Sequence, residues 1–327
     1  MSIHWGIMGT GAIAEKFVND FTLTSGGCIK AIASRTRQRA EEFALNHNVT
    51  VAYGSYQELA EDNSIDVIYI ATPHSMHYEN TMLCLENGRS VLCEKPIAIN
   101  SAQLEQMQAL ARQKNVLLME AMWMYFMPLV SQIKKWIDSG RIGNVKCIKA
   151  DFGYSAIYKP DSRWFNPTLA GGALLDLGIY PVTFANYILE SYPTQIQAIA
   201  QKAPSGVDGF TGITFQYKNG CIVQMSCSLI CELIPGAYIF GSRGYINIPY
   251  FWKARKATLV TDDGTEEALD ERLSIGYNYE IEEVHKLLNA GAKESSLATF
   301  ERSMRNMLIL DKIRDLIDLK YPVWGEK

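Results

Sequence analysis

Histidine is scarce in this 327-residue sequence, five in all, and no C-x-x-C pair or Cys/His ligand spacing occurs. No metal site is therefore expected. The seven cysteines, at 28, 84, 93, 147, 221, 227 and 231, are odd in number and scattered, which argues against a disulfide framework. Several sit in apolar runs, as Cys93 does in Val91-Leu92-Cys93, so the expectation is buried reduced thiols in a cytoplasmic protein. Positive charge is not in surplus: 31 Lys+Arg stand against 35 Asp+Glu, a net charge of −4. Without a basic stripe, nucleic acid is not an expected partner. The opening Met1-Ser2-Ile3-His4-Trp5-Gly6 lacks a basic segment followed by an apolar one, so no secretory signal is expected. No apolar run reaches the roughly 18 residues of a membrane span, and no membrane partner is expected.

What is present is an ordinary globular mix, 48 % hydrophobic and 20 % charged. At roughly 100–200 residues per domain, the length suggests about two domains. Over the first 120 or so residues, short apolar runs at 3–8, 28–34, 49–53, 66–71 and 90–93 alternate with amphipathic stretches. That alternation predicts an α/β Rossmann domain with a doubly wound parallel sheet over 1–121. After residue 121 the pattern changes. Val223-Gln224-Met225-Ser226-Cys227-Ser228-Leu229 alternates strictly and follows Ile213-Thr214-Phe215-Gln216-Tyr217 across Lys218-Asn219-Gly220. Asn-Gly between alternating runs is a hairpin signal. The second half, 122–327, is thus predicted to be an α+β domain for substrate binding and dimerisation, built on a largely antiparallel open sheet. Ile213, Phe215 and Tyr217 are expected on its open face as an apolar dimer surface. A last helix near 300–318, with Met304, Leu308 and Ile309 on an apolar stripe, is expected to pack back on the first domain.

Gly9-Thr10-Gly11-Ala12-Ile13-Ala14 follows the first strand and opens a helix. In this G-x-G-x-x-A pattern the first glycine allows the tight turn. The second lets the backbone approach a pyrophosphate, and the helix N-terminus offers N–H groups to the phosphates. A purely structural turn is the alternative. At the end of the second strand an NAD reader carries Asp or Glu for the ribose 2′-OH; here stand Ser34-Arg35-Thr36-Arg37-Gln38-Arg39. Arginine matches phosphate geometry, so NADP is favoured over NAD. Ser34 and Arg35 are the assigned phosphate contacts, and Arg37 and Arg39 are left as solvated residues of the next helix.

Three further stretches carry chemistry. Glu94-Lys95-Pro96 ends the fifth strand, where ligands of open α/β sheets bind. The alternative is a solvated lysine before a helix-starting proline. Thr72-Pro73-His74-Ser75-Met76-His77 follows the fourth strand. The two histidines have no acidic or cysteine partner nearby, so hydrogen bonding at the cofactor site is preferred to metal. Asp176 and Tyr180, in Gly171-Gly172-Ala173-Leu174-Leu175-Asp176-Leu177-Gly178-Ile179-Tyr180, share one helix face at i,i+4. A partly exposed Asp beside a core Tyr is the alternative.

Together these motifs resemble the Gfo/Idh/MocA family of NAD(P)-dependent oxidoreductases. Glu120-Ala121-Met122-Trp123-Met124-Tyr125-Phe126-Met127-Pro128, with Tyr rather than His at 180, is similar to its dimeric dihydrodiol dehydrogenase branch. The resemblance spans residue 3 to about 181. It implies that Lys95 contacts the substrate hydroxyl and that Tyr180 is the acid/base, with Asp176 in support or in substrate binding. It implies that Trp123 and Phe152 line the substrate pocket. His77 and His74 would border the nicotinamide, with Thr72 and Glu94 at the cofactor, and Arg35 would read the 2′-phosphate. Relatives pair through the second sheet, so a homodimer is expected. A tyrosine has an ordinary pKa near 10, and a nearby lysine cation favours the phenolate, which suits acid/base work. The expected activity is hydride transfer between NADP and a secondary alcohol or carbonyl of a sugar, cyclic polyol or trans-dihydrodiol. The alternatives are a non-catalytic NAD(P)-binding sensor and a redox-assisted glycosidase on the same fold.

Overall fold

The computed structural model describes residues 2–322. From the N-terminus run β1 (Ile3–Met8), α1 (Ala12–Phe21), β2 (Gly27–Ala33), α2 (Arg37–Asn46), β3 (Val51–Tyr53), α3 (Tyr56–Glu61), β4 (Val67–Ile70), α4 (His77–Glu86), β5 (Ser90–Glu94), α5 (Ser101–Lys114) and β6 (Leu118–Ala121). Next come α6 (Pro128–Asp138), β7 (Val145–Gly153), α7 (Ile179–Leu189), β8 (Gln195–Lys202), β9 (Asp208–Gln216) and β10 (Ile222–Ser228). Then follow β11 (Gly236–Gly241), β12 (Gly244–Pro249), β13 (Lys256–Thr261), β14 (Gly264–Leu269), α8 (Tyr277–Asn289) and α9 (Phe300–Leu316). The chain forms two units. One holds the residues up to Phe126 together with Leu273–Met304; the other holds Met127–Arg272 and the chain from Arg305.

In the first unit six parallel strands lie in the order β3-β2-β1-β4-β5-β6. This is the doubly wound order, whose reversal between β1 and β4 opens a crevice at the strand C-termini. Every residue of β4 and β5 is buried, as a sheet covered on both faces requires. Phe17 of α1 stacks on Tyr69 of β4 with ring centroids 3.7 Å apart. The segment 273–304, which the sequence reading gave to the second domain, belongs to this unit. Asp20 of α1 accepts hydrogen bonds from the N–H groups of Ile275, Gly276 and Tyr277 at 3.1, 2.8 and 2.9 Å and so caps α8. Trp5 Nε1 donates to His285 at 2.9 Å, Gln108 donates to the Phe300 carbonyl at 3.0 Å, and Ser303 donates to Glu120 at 2.6 Å.

In the second unit eight strands run β14-β13-β12-β11-β7-β10-β9-β8. Only the β7–β10 pair is parallel. The Asn-Gly hairpin forms: Gln216 pairs with Ile222, and Gly220 takes φ +80°. Alternate residues along β7 and β9–β13 are buried toward the helices. Ile213, Phe215 and Tyr217 are among these buried residues, not on the open face as expected. Period-2 spacing fixes which residues share a face but not which face is covered. Tyr217 Oη donates to Asn186 on α7 at 3.1 Å, which fixes the direction. The other face carries Lys149, Asp151, Ile199, Gln224, Tyr238, Phe240 and Tyr245, with Tyr238 and Phe240 stacked.

The stretch Pro167–Leu189 is long and apolar enough to cross a membrane, but 89 % of its most apolar window is buried within the fold. It is a core helix. In the last helix Met307, Ile309, Leu310 and Ile313 are buried, whereas Leu308 is exposed, so the expected stripe is displaced. Residues 300–304 of that helix belong to the first unit and those from 305 to the second.

Candidate active site

The glycine turn sits over the crevice of the six-stranded sheet. Gly9 has φ +108°, and a Cβ there would meet the Ala71 carbonyl oxygen at 2.8 Å. Only glycine suits both conditions. At Gly11 a Cβ would meet nothing within 4 Å, so its surroundings are open. Gly11 is the N-cap of α1 and supplies no side-chain cap, and Ala12 and Ile13 begin the helix behind it. Thr10 Oγ1 lies 3.3 Å from Ser34 Oγ, which ties the turn to the end of β2. Arg35 is exposed there, while Arg37 is engaged with Glu41 at 2.9 Å on its own helix. A dinucleotide cradle with a cation and no acid at the ribose end fits NADP.

Two loops beside this cradle meet at His77. The ring is fully buried, with Nδ1 2.7 Å from the Pro96 carbonyl oxygen and Nε2 2.8 Å from that of Thr72. Burial first, and the Lys95 charge as well, push its pKa down, while the two carbonyls push it up. A neutral ring donates to one of these carbonyls. The ring thus lies packed between the loop after β4 and the loop after β5. Asn80 fastens Thr72, donating to its hydroxyl at 3.0 Å. His74 is half-buried, its ring 5.7 Å from that of His77. Among the described residues no cluster of three or more His, Cys, Asp or Glu is arranged for a metal.

The Lys95–Pro96 bond is cis, and Lys95 is half-buried. Glu94 is buried and faces inward: Tyr69 Oη donates to it at 2.6 Å, and the Lys95 N–H donates to its other oxygen at 3.1 Å. Glu120 opens the Glu120–Pro128 stretch and is not among the expected site residues. It accepts from the Ile97 N–H at 3.1 Å and so holds the loop that carries Lys95. Burial raises its pKa most, and the Lys95 charge acts the other way. Trp123 belongs to this unit, stacked on Tyr277 with centroids 4.9 Å apart and planes 6° apart.

In the second unit the Gly171-Gly172 pair opens a widened π turn, Leu174–Gly178, that runs into α7. Pro181 follows and cannot give an N–H to the preceding turn. Gly171 lies directly on the Arg163–Trp164 backbone, where a Cβ would meet the Trp164 carbonyl at 2.8 Å. Gly178 lies as closely on Cys227 of β10. Arg163 is thereby brought over Asp176 of the π turn: Nη1 donates to Oδ1 and Nη2 to Oδ2, each at 3.3 Å. Tyr180 is nearly buried, its ring 5.8 Å from Phe152, and Phe152 stacks on Trp252 at 3.7 Å. Tyr154 completes the wall against Trp164 at 5.8 Å. Burial raises its phenol pKa, the Asp176 charge raises it further, and Arg163 opposes both. Phe152 and Tyr180 are thus brought together, and Asp176 precedes Tyr180 by four positions on the same π–α segment. Tyr154, Arg163, Trp164 and Trp252 were missed because none lies in a recognisable spacing with them.

Residues 3–122 match the oxidoreductase family with an NAD-binding Rossmann fold, GFO/IDH/MocA, and residues 130–247 match the C-terminal domain of that family. The trans-1,2-dihydrobenzene-1,2-diol dehydrogenase of Mus musculus is 36 % identical over 98 % of this chain and 99 % of its own. Two solved structures share the fold. A 3-ketoreductase from Actinomadura kijaniata, in complex with NADP and TDP-benzene, has TM-score 0.88 and 23 % identity over 97 % of this chain and 98 % of its own. A levoglucosan dehydrogenase in complex with NADH and levoglucosan has TM-score 0.88 and 20 % identity over the same shares. With both domain matches in order along the sheet-and-cradle architecture described above, the chain belongs to the Gfo/Idh/MocA oxidoreductase family.

Proposed function

We propose that this chain is an NADP-dependent dehydrogenase/reductase acting on a secondary alcohol or carbonyl of a sugar, cyclic polyol or trans-dihydrodiol. The observation that carries the reading is the placement of Tyr180 against the Phe152–Trp252 wall, with Asp176 four positions earlier on the π–α segment that carries it. An acid/base phenol and a carboxylate beside stacked rings suit a cyclic substrate with polar rims and an apolar face. The name of the relative at 36 % identity, a trans-1,2-dihydrobenzene-1,2-diol dehydrogenase, supports a cyclic diol within this range. Arg35, with no acid at the end of β2, favours NADP, although one structural neighbour is bound to NADH.

When bound, the nicotinamide accepts or donates the hydride. The chain handles the proton and the geometry. In oxidation Tyr180 Oη takes the hydroxyl proton, and in reduction it returns that proton to the carbonyl oxygen. Lys95 contributes a cation for the reacting oxygen of the substrate. Asp176, oriented by Arg163, accepts a neighbouring substrate hydroxyl. Thr72, His74, His77 and Glu94 shape the cofactor loops. Trp123 and Phe152 supply apolar contacts to the substrate.

The open face of the eight-stranded sheet, with Ile199 82 % exposed and Tyr238 and Tyr245 beside it, suits a second copy of the chain. All seven cysteines are free thiols, in keeping with a reducing cytoplasmic setting. Fluorescence titration with NADPH and NADH, then an absorbance screen over sugars, inositols and dihydrodiols, tests the reading. Tighter binding of NADPH and turnover of at least one member support it. Cofactor binding without turnover of any member means a sensor instead.

A further inference from the structure

Asp208, the first residue of β9, is a fully buried carboxylate with no part in the mechanism above. It gathers the start of the π turn. Oδ2 accepts the Leu174 N–H at 2.7 Å and the Thr211 hydroxyl at 2.8 Å. Among the described residues Oδ1 has no hydrogen-bond partner. Burying a carboxylate is costly without full pairing, so its presence here needs a reason.

Gly172 gives the first part of that reason. It has φ +123°, and a Cβ there would lie 2.1 Å from Asp208 Oδ1. The glycine is what lets the carboxylate come so close. The second part is the missing local cap. Ala173, the residue before the π turn, makes no side-chain cap bond, and a helix start ordinarily has orphan N–H groups satisfied by a neighbouring Ser, Thr, Asp or Asn. A residue 34 positions away in sequence does this instead.

We infer that Asp208 is a positioning residue: its carboxylate anchors the first turn of the π–α segment and through it sets Asp176 and Tyr180. The inference rests on the acid/base reading of Tyr180. The anchored residue, Leu174, is two positions before Asp176 and six before Tyr180. A shift at this turn moves both side chains, and small misplacements of reacting groups cost large factors in rate.

The groups facing Asp208 come from every element around it. Lys202 of β8 favours the charged form, as do the two hydrogen bonds from Leu174 and Thr211. Cys227 of β10 feels its charge. Tyr321 Oη lies near Gly172 and donates to the Gly171 carbonyl at 2.8 Å. Burial outweighs the favourable contacts and pushes the Asp208 carboxyl up to about 6. Below that pH the Leu174 bond loses its charge assistance, roughly half its strength.

The test compares kcat and KM of wild type, Asp208→Asn and Thr211→Val for oxidation of trans-1,2-dihydrobenzene-1,2-diol by NADP+ from pH 5 to pH 9. The expected result for Asp208→Asn is a kcat roughly three- to tenfold below wild type above pH 7, the charge assistance lost from the bond to Leu174, with KM for NADP+ unchanged. The wild-type-to-variant kcat ratio then closes toward one below about pH 5.5. Ionisations shared by both proteins cancel in this ratio. Thr211→Val, which removes one bond to the same oxygen, gives a smaller drop with the same closure and serves if the asparagine variant does not fold. A ratio constant across pH, or a kcat unchanged in both variants, overturns the inference. Tyr180→Phe run alongside separates the two readings. If it keeps wild-type kcat, the acid/base reading fails. If it loses activity while the Asp208 ratio stays flat, only the positioning role fails.

Discussion

Arg163 holds the carboxylate of Asp176 in a two-point fork, each nitrogen–oxygen distance 3.3 Å, with the Asp176 side chain buried and the Arg163 side chain 52 % exposed. Such a pair contributes little to stability, because the guanidinium is half in water. It contributes orientation, because the planar fork fixes both carboxylate oxygens. Arg163→Lys, which cannot fork, is expected to leave the melting temperature nearly unchanged. It should lower kcat/KM by about tenfold, close to one charge-assisted hydrogen bond. Thermal melts beside steady-state kinetics check this, and a large melting shift with intact kinetics contradicts it.

Tyr180→Phe and Lys95→Met should each lower turnover by roughly 10²–10⁴-fold, the range of general acid–base catalysis. NADPH titration by fluorescence should be nearly unaffected by Tyr180→Phe, which removes only the hydroxyl proposed to act on the substrate. Full turnover in both variants removes the acid/base assignment.

Arg35→Ala should weaken NADPH binding by roughly ten- to hundredfold and leave NADH binding almost as it is, since only the 2′-phosphate loses a charge-assisted partner. Parallel titrations give the ratio. An unchanged ratio assigns the phosphate to another residue.

Much of this site was readable in the sequence for a physical reason. Gly9 announces a backbone geometry, and Asn219-Gly220 announces a hairpin, because few residues can replace them there. Asp176 and Tyr180 stood out as polar groups in an apolar helix. Arg163, Trp252 and Glu120 gave no such signal. They reach the site through contacts far apart in sequence, which leave no periodicity behind. Ile213, Phe215 and Tyr217 show a related limit: their alternation was legible, but their inward direction depended on α7 packing over them. The placement of 273–304 with the first unit was equally hidden, because it rests on Asp20 receiving three N–H groups from a segment about 255 residues away.

Glu280 of α8 is fully buried, and among the described residues neither carboxyl oxygen has a hydrogen-bond partner. Burial, with Glu94 and Asp20 adding repulsion, holds its pKa well above the ordinary 4.5. The folded state then keeps a proton that the unfolded state releases once pH passes 4.5. Stability must therefore fall as pH rises through the window above that value. Glu280→Gln removes the proton linkage. Relative to this variant, wild type should lose up to about 1.4 kcal/mol per pH unit across the window. Urea melts at pH 5.5 and pH 8 measure the difference; equal slopes refute it.

Ile199→Asp and Tyr238→Glu place charges on the open sheet face. If two copies pair there, light scattering should give twice the 36.7 kDa chain mass for wild type and the single mass for the double variant. A wild type already at the single mass rules the pairing out.

Both units await the end of the chain during synthesis, the first needing Leu273–Met304 and the second the chain from Arg305. The second sheet, β7 to β14, ends at Leu269, before the chain supplies the Tyr277 N–H that Asp20 receives or the Ser303 hydroxyl that Glu120 receives. Domains tend to fold as they emerge, N-terminal first. Here the dinucleotide cradle is started first and closed late. A ribosome stalled at residue 272 carries a nascent six-stranded sheet still lacking α8, with Asp20 and Glu120 awaiting partners not yet translated.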